Sequence, residues 1–260
     1  MLAQIWLVSA LCAGALAAPT LTTAGSARKP ANRKILSDYF RMLGRKIQAG
    51  RDMAEAPVCN MENAVLPVAY PTPLPPVTEG LFLKHVSVGR GTQNYTCDVG
   101  NATAIPVATG AVATLYNASC VAAAYPDLLA ALSNVSLQFN LTSADQKTLS
   151  PSTLSISGHH YFTNTTTPEF NLNTVGLDLG VAPCQKNASV PAPVGATKGQ
   201  ADLGFGTVPW LKLSTRSGAT GGLSEVYRVN TAGGNPPTSC IGQPAAFEVQ
   251  YAAEYWFYAV

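Results

Sequence analysis

Between residues 81 and 260 the chain is a succession of short runs of β-branched and aromatic residues, each closed off by Gly, Pro, Asn or Ser. Such punctuation is hard to satisfy with anything but antiparallel strands. The runs are 81–88, 93–97, 111–116, 135–141, 153–157, 208–214, 224–229 and 246–260. Their spacing predicts one all-β domain, a sandwich or a barrel of short strands, over 79–260. The last run says most. Phe247, Val249, Tyr251, Ala253, Tyr255 and Phe257 share one face of an extended chain, opposite Glu248, Gln250 and Glu254, so this strand is expected at the centre of the core. One helix is expected inside the domain, at 127–132. The glycine-bearing stretches 218–223 and 233–237 read as turns flanking the strand at Tyr227-Arg228-Val229. A domain of roughly 200 residues buries about 70% of its extended-chain surface, so its core does not rely wholly on cross-links.

What precedes the domain differs in kind. Residues 2–17 are uncharged and apolar and end in Ala15-Leu16-Ala17, the small-residue pattern of a cleaved secretory signal over 1–17. The run is shorter than the roughly 20 residues a bilayer crossing needs. Residues 20–56 hold eight basic residues and three acidic ones, so the remainder of the chain carries a net −3 and offers no basic footprint for nucleic acid. Within 18–56, Leu36, Phe40, Leu43 and Ile47 recur at helical spacing and predict a short amphipathic helix whose apolar stripe lies on the main domain. The dibasic pairs Arg28-Lys29, Arg33-Lys34 and Arg45-Lys46 would suit a removable prosegment, and a basic amphipathic helix would suit a membrane surface. Residues 57–78 are a proline-rich lead-in, and over 66–76 Pro67, Pro71, Pro73, Pro75 and Pro76 exclude helix and central strand and predict an extended chain.

Export places the thiols in an oxidising compartment. Once Cys12 leaves with the leader, Cys59, Cys97, Cys120, Cys184 and Cys240 remain, an odd set that permits fifteen pairing patterns. Cys184, between Ala182-Pro183 and Gln185-Lys186 in a loop-like stretch, is the expected free thiol; a trial bridge from Cys97 to Cys120 would be worth about 3 kcal/mol on loop closure. No Cys-x-x-Cys spacing supports a structural metal. Sequons begin at Asn94, Asn101, Asn117, Asn134, Asn140, Asn164 and Asn187, each a candidate glycan site, with Asn94 in an apparent strand.

Catalytic motifs are sparse. The three histidines are His85, His159 and His160, and the adjacent pair must point to opposite faces of a strand, so they do not hold one metal together. The chain has no Gly-x-Ser-x-Gly nucleophile turn. Gly89-Arg90-Gly91 and Gly204-Phe205-Gly206 read as turns, lacking the third glycine and following helix of a dinucleotide site. The acids after Ala56 are scattered and give no positive sign of a glycosidase pair. Trp210 and Trp256 alternate with aliphatic residues as core aromatics do, which weighs against a sugar-stacking platform.

Five segments, Gly89-Arg90-Gly91-Thr92-Gln93-Asn94-Tyr95-Thr96-Cys97, Gly158-His159-His160-Tyr161-Phe162, Val208-Pro209-Trp210-Leu211, Tyr227-Arg228-Val229-Asn230-Thr231-Ala232-Gly233-Gly234 and Tyr251-Ala252-Ala253-Glu254-Tyr255-Trp256-Phe257-Tyr258, follow one another in an order that resembles a secreted family of ascomycete fungi, domain of unknown function 3455. The resemblance covers about residues 57–260 and brings no established catalytic residues. It implies that Cys97 and Cys240 belong to the family pattern, which agrees with leaving Cys184 unpaired. Some family members carry the label malate dehydrogenase; this chain lacks the nucleotide-binding glycine turn and the alternating strand–helix pattern such an enzyme needs. The expectation is therefore a secreted, glycosylated, non-catalytic extracellular or cell-surface protein without a cofactor, with polysaccharide or cell wall as the partner class. The alternative is a secreted hydrolase built on His159 or His160.

Overall fold

In the computed structural model, residues 32–51, 59–101, 103–141 and 147–260 are described; the leader 1–17 and the pair Arg28-Lys29 lie outside the described residues. Eight strands each pair antiparallel with the next in sequence, and the last returns to the first: β1 (Phe82–Thr96), β2 (Val107–Asn117), β3 (Ile156–Asn164), β4 (Thr167–Asn173), β5 (Asp178–Val190), β6 (Trp210–Thr215), β7 (Leu223–Gly233) and β8 (Ala246–Ala259) form a closed barrel. Closure leaves no unpaired edge among them. Of the two architectures the spacing allowed, the barrel is the one formed.

Alternation along β8 shows how the wall is built. Tyr251, Ala253, Tyr255 and Phe257 point into the barrel with Leu115, Phe170, Leu172 and Val226. Trp256 and Tyr258 point outward, and are buried all the same. They lie under a second layer made of α1 (Arg33–Arg51), α2 (Ser119–Ala124), α3 (Pro126–Leu137) and the proline-rich segment. The strand predicted to be central is thus buried on both faces.

Pro126 opens α3, where its missing N–H costs nothing, and Leu128, Leu129, Leu132 and Val135 then fall on the face that meets the barrel. The helix runs to Leu137, so the strand expected at 135–141 is not formed; the apolar run that looked like a strand is the second half of a helix. Arg90 fixes its far end. Buried at 2% exposure, it donates through Nε to Ser136 O (3.3 Å) and through Nη2 to Phe139 O (3.0 Å), carbonyls left open where the helix ends. Its Nη1 reaches Gly91 O and Tyr251 O, both at 3.1 Å.

Gly89-Arg90-Gly91 is therefore not a turn. It lies inside the single strand β1, which joins the runs 81–88 and 93–97. The glycines are there for space: a Cβ on Gly89 would lie 2.5 Å from the Tyr255 ring, and one on Gly91 would lie 1.9 Å from Val112 O. Strands β4 and β5 were not foreseen as strands at all. Their polar, proline-bearing sequences hide them, because closure of the barrel, not local propensity, supplies both neighbours of each. The expected strand at 153–157 is displaced into β3, and α2 is an additional short helix. Strands β1, β2 and β7 are longer than the runs predicted for them, with 15 residues in β1, while β6 and β8 are not.

The amphipathic helix forms as α1, but rotated about its axis. Ile35, Tyr39 and Met42 lead the packed face with Leu36 and Leu43 at its border, while Phe40 and Ile47 are exposed. An ion pair of 2.9 Å from Lys46 to Asp127 ties it to α3. After a 3-10 turn at Met61–Asn63, the proline-bearing part of the lead-in is extended as predicted and clamped to the wall: Tyr227 Oη donates to Pro75 O (3.0 Å) and Lys212 Nζ to Pro76 O (2.7 Å), beside a buried Lys212–Glu225 pair at 2.9 Å.

Two disulfides staple the ends. Cys59–Cys120 ties the start of the lead-in to α2, and Cys97–Cys240 ties the end of β1 to the segment entering β8. The trial bridge between Cys97 and Cys120 is not formed. Cys184 is free, but its setting is not a loop: it sits in β5, points into the barrel, and burial pushes its thiol up to about 12.

Candidate functional site: the mouth of the barrel

At the end where β1 finishes and β2 begins, the barrel interior opens into a cavity of about 420 Å³. All eight strands line it. Gln93 and Tyr95 come from β1, His160 and Phe162 from β3, Phe170 from β4, Arg228 from β7 and Tyr255 from β8. Thr165 and Thr166 of the β3–β4 hairpin stand at the rim beside Lys186. Alternation explains the selection, since inward positions recur every second residue and the last of them on each strand face the opening.

One wall is aromatic. The His160 ring stacks on Phe170 at 4.3 Å and 9°, and Tyr255 and Phe162 lie at 5.7 Å from His160. The other side is polar and cationic. Arg228 donates from Nη2 (2.9 Å) and Nε (3.3 Å) to Pro209 O, and among the described residues it belongs to no ion pair. Around it stand hydroxyls: Tyr251 and Tyr255 meet at 3.0 Å, and Tyr95 donates to Gly234 O at 2.8 Å. Burial raises the pKa of all three phenols, Tyr95 to about 12, although Arg228 pulls each of them down. Gln93 reaches toward the Tyr251 hydroxyl without closing a hydrogen bond, so its buried Nε2 has no partner.

His160 is the one sequence-predicted candidate in this cavity. Its Nδ1 lies 2.9 Å from Glu169 O, so Nδ1–H donates there and Nε2 presents a lone pair. Burial lowers its pKa to about 4, which makes it a neutral acceptor and a feeble base at neutral pH. His159, its neighbour on β3, faces outward and is exposed, as adjacent strand positions require. His85 is elsewhere in the interior, sharing Ser157 Oγ (2.9 Å) and Ser119 Oγ (3.0 Å), with its pKa also lowered to about 4 by burial. That is a serine–histidine contact without a carboxylate, and His85 and Ser157 are both closed off from solvent. The three histidines are not brought together, and among the described residues no three metal-ligating side chains cluster.

The sequons separate by position. Asn101, Asn164 and Asn187 are exposed. Asn94 and Asn117 are half-buried in β1 and β2, Asn134 lies on α3 with Oδ1 buried, and Asn140 accepts a bond from Gln200 (2.9 Å). Trp210 and Trp256 are core residues at 3% and 1% exposure, so they form no platform. Sequence reading missed Arg228, Gln93 and Phe170 as site residues. Arg228 had a signal: it shares a strand face with Val226, where an unpaired cation is out of keeping with a plain core.

These buried groups set the response to acid. Between pH 6.5 and 4 the unfolded chain takes up protons on His85 and His160 that the folded chain refuses, so stability falls as pH falls. Glu254, accepting from Asn230 and Trp256 Nε1, is raised by burial to about 7 and works the other way, since the folded chain keeps its proton after the unfolded chain has lost it. Each group is worth on the order of 3 kcal/mol, and two outweigh one. The urea midpoint is expected to drop from pH 6.5 to 4.5, less steeply in His160→Gln; a midpoint that rises on acidification contradicts this balance.

Among the described residues the fold is a closed antiparallel eight-stranded barrel whose interior opens at the end where β1 finishes. The chain belongs to the family described as protein of unknown function (DUF3455), whose model matches residues 78–259, the barrel and the last residue of the lead-in. No curated protein and no solved structure matches it.

Proposed function

We propose that this protein is a secreted, non-catalytic carrier or receptor for a small molecule, which it holds in the mouth of the barrel. The observation that carries this reading is the cavity itself: about 420 Å³, drawn from every strand, aromatic on one side and edged by a few convergent polar groups. Barrels of eight strands are wide enough inside for side chains or one small ligand, and here the side chains stop short of one end. The disulfides support an oxidising destination, and no helix among the described residues is long and apolar enough to cross a membrane. A binding role fits the site better than hydrolysis does. His160 bonds to a backbone carbonyl and not to an acid or a serine, and its lowered pKa weakens it as a base. Wall polysaccharide is the weaker partner class, since the tryptophans a stacking platform would use are in the core.

Mass spectrometry of protein recovered from culture medium tests the reading. The expected native spectrum carries an adduct of a few hundred daltons that Thr165→Trp, a plug at the rim that keeps the Asn164 sequon, abolishes. After denaturation, enzymatic deglycosylation is expected to release glycans from Asn101, Asn164 and Asn187 and none from Asn134. Protein retained in the cell with its leader rejects secretion. Absence of any adduct, together with sedimentation on wall polysaccharide, rejects the small-molecule reading.

A further inference from the structure

We infer that the ligand of the mouth is an organic anion: a small molecule with a flat apolar body and a carboxylate or sulfonate head placed on Arg228. This rests on the mouth being a binding site, and it adds the sign of the charge and the end of the ligand that enters first.

The charge follows from what lines the cavity. Arg228 and Lys186 are both there, and no Asp or Glu is among the lining residues. The nearest acid in sequence to the aromatic wall, Glu169, has its carboxylate engaged by Tyr161 Oη at 2.6 Å. Arg228 is 9% exposed, so its charge is largely removed from water, and its acceptors, the Pro209 carbonyl and the Tyr255 hydroxyl, are both neutral. A buried cation of this kind is costly without a counterion. Lys212, a buried cation on the neighbouring strand, has Glu225 at 2.9 Å, and Arg90, which also lacks an acid, is instead met by four backbone carbonyls and Gln250, a set Arg228 does not have. Of its five N–H groups the guanidinium keeps donors beyond those used on Pro209 and Tyr255, for a planar carboxylate to meet. Gln93 Nε2 adds a buried donor without a partner.

The body of the ligand follows from the opposite wall. His160 and Phe170 are already stacked, and Phe162, Leu213 and Val208 extend the apolar surface. His160 is neutral, so it does not compete with Arg228 for the head group, and its Nε2 lone pair favours a hydroxyl or amide N–H on the body. Lys186 at the rim draws an anion toward the opening. The head therefore enters first and the ring system stacks behind it.

Two fluorescent probes of nearly equal shape separate this inference from the one beneath it. 1-Anilinonaphthalene-8-sulfonate carries the anion, and N-phenyl-1-naphthylamine is its neutral counterpart. With the full secreted protein, the sulfonate is expected to bind at least tenfold more tightly at low salt. Arg228→Gln is expected to remove that preference and leave the amine unchanged. Lys186→Glu, an exposed substitution that leaves the core alone, is expected to weaken the sulfonate several-fold, and Thr165→Trp is expected to exclude both probes. If the amine binds as well as the sulfonate and Thr165→Trp excludes both, the mouth binds but the anion inference is wrong. If both probes bind and Thr165→Trp changes neither, they sit on an outer apolar surface and both readings fall. If neither probe binds the folded protein, both also fall.

Discussion

Gly91→Ala is expected to abolish folding. The added methyl would lie 1.9 Å from Val112 O and 2.6 Å from Ala113 Cα, backbone atoms of β2 that cannot step aside as a side chain can. In an open sheet β1 could drift from β2. In this barrel β1 is also paired along its length to β8, so relief at one seam strains the other. The cost is expected to exceed about 4 kcal/mol, at the extreme of single substitutions. Gly44→Ala, in α1 with nothing within 4 Å of the new methyl, provides the control and is expected to be neutral or stabilising by up to about 1 kcal/mol. Secreted yield and far-ultraviolet circular dichroism distinguish the two; a folded Gly91→Ala protein of wild-type melting temperature would show that the seam is looser than described.

Loss of the Cys97–Cys240 bridge comes next. It spans 143 residues, and loop closure alone assigns it about 5 kcal/mol. It also stands at the working end of the barrel, where Cys97 N bonds to Ala245 O and Cys240 N to Ala104 O. The double replacement Cys97→Ser/Cys240→Ser is expected to lower the melting temperature by more than about 10 °C and to weaken ligand retention. Removing Cys59–Cys120, whose separation is 61, is expected to cost about 4 kcal/mol. It releases the lead-in at the opposite end and leaves the mouth intact. Thermal melts and probe titration of both variants decide the matter. Equal loss of binding in the two would mean that the bridges act through general stability and not through the place they hold.

The site was legible only in part. The histidine pair on one strand gave its alternation correctly, and that is why one ring lies in the mouth and the other outside. Arg228 was visible as a charge in an apolar strand, but its meaning depended on Pro209 and Tyr255 arriving beside it from other segments. Phe170 and Lys186 lay in stretches too polar and too rich in proline to read as strands. The buried Arg90 was hidden because two flanking glycines usually signal a turn, and only contact with α3 and β8 shows them as points of close approach.

Local chemistry, read along the chain, was enough for the class of fold, the inward face of β8, the extended proline segment and the odd thiol count. Each of these depends on a period, a ring constraint or a number that neighbours in sequence already contain. Tertiary structure alone decided barrel over sandwich, helix over strand at 135–137, the rotation of α1 and the pairing of the cysteines. Those outcomes turn on which distant surfaces meet. The mouth belongs with them, because no single segment contains more than a sliver of it and closure of β8 onto β1 is what gives it walls.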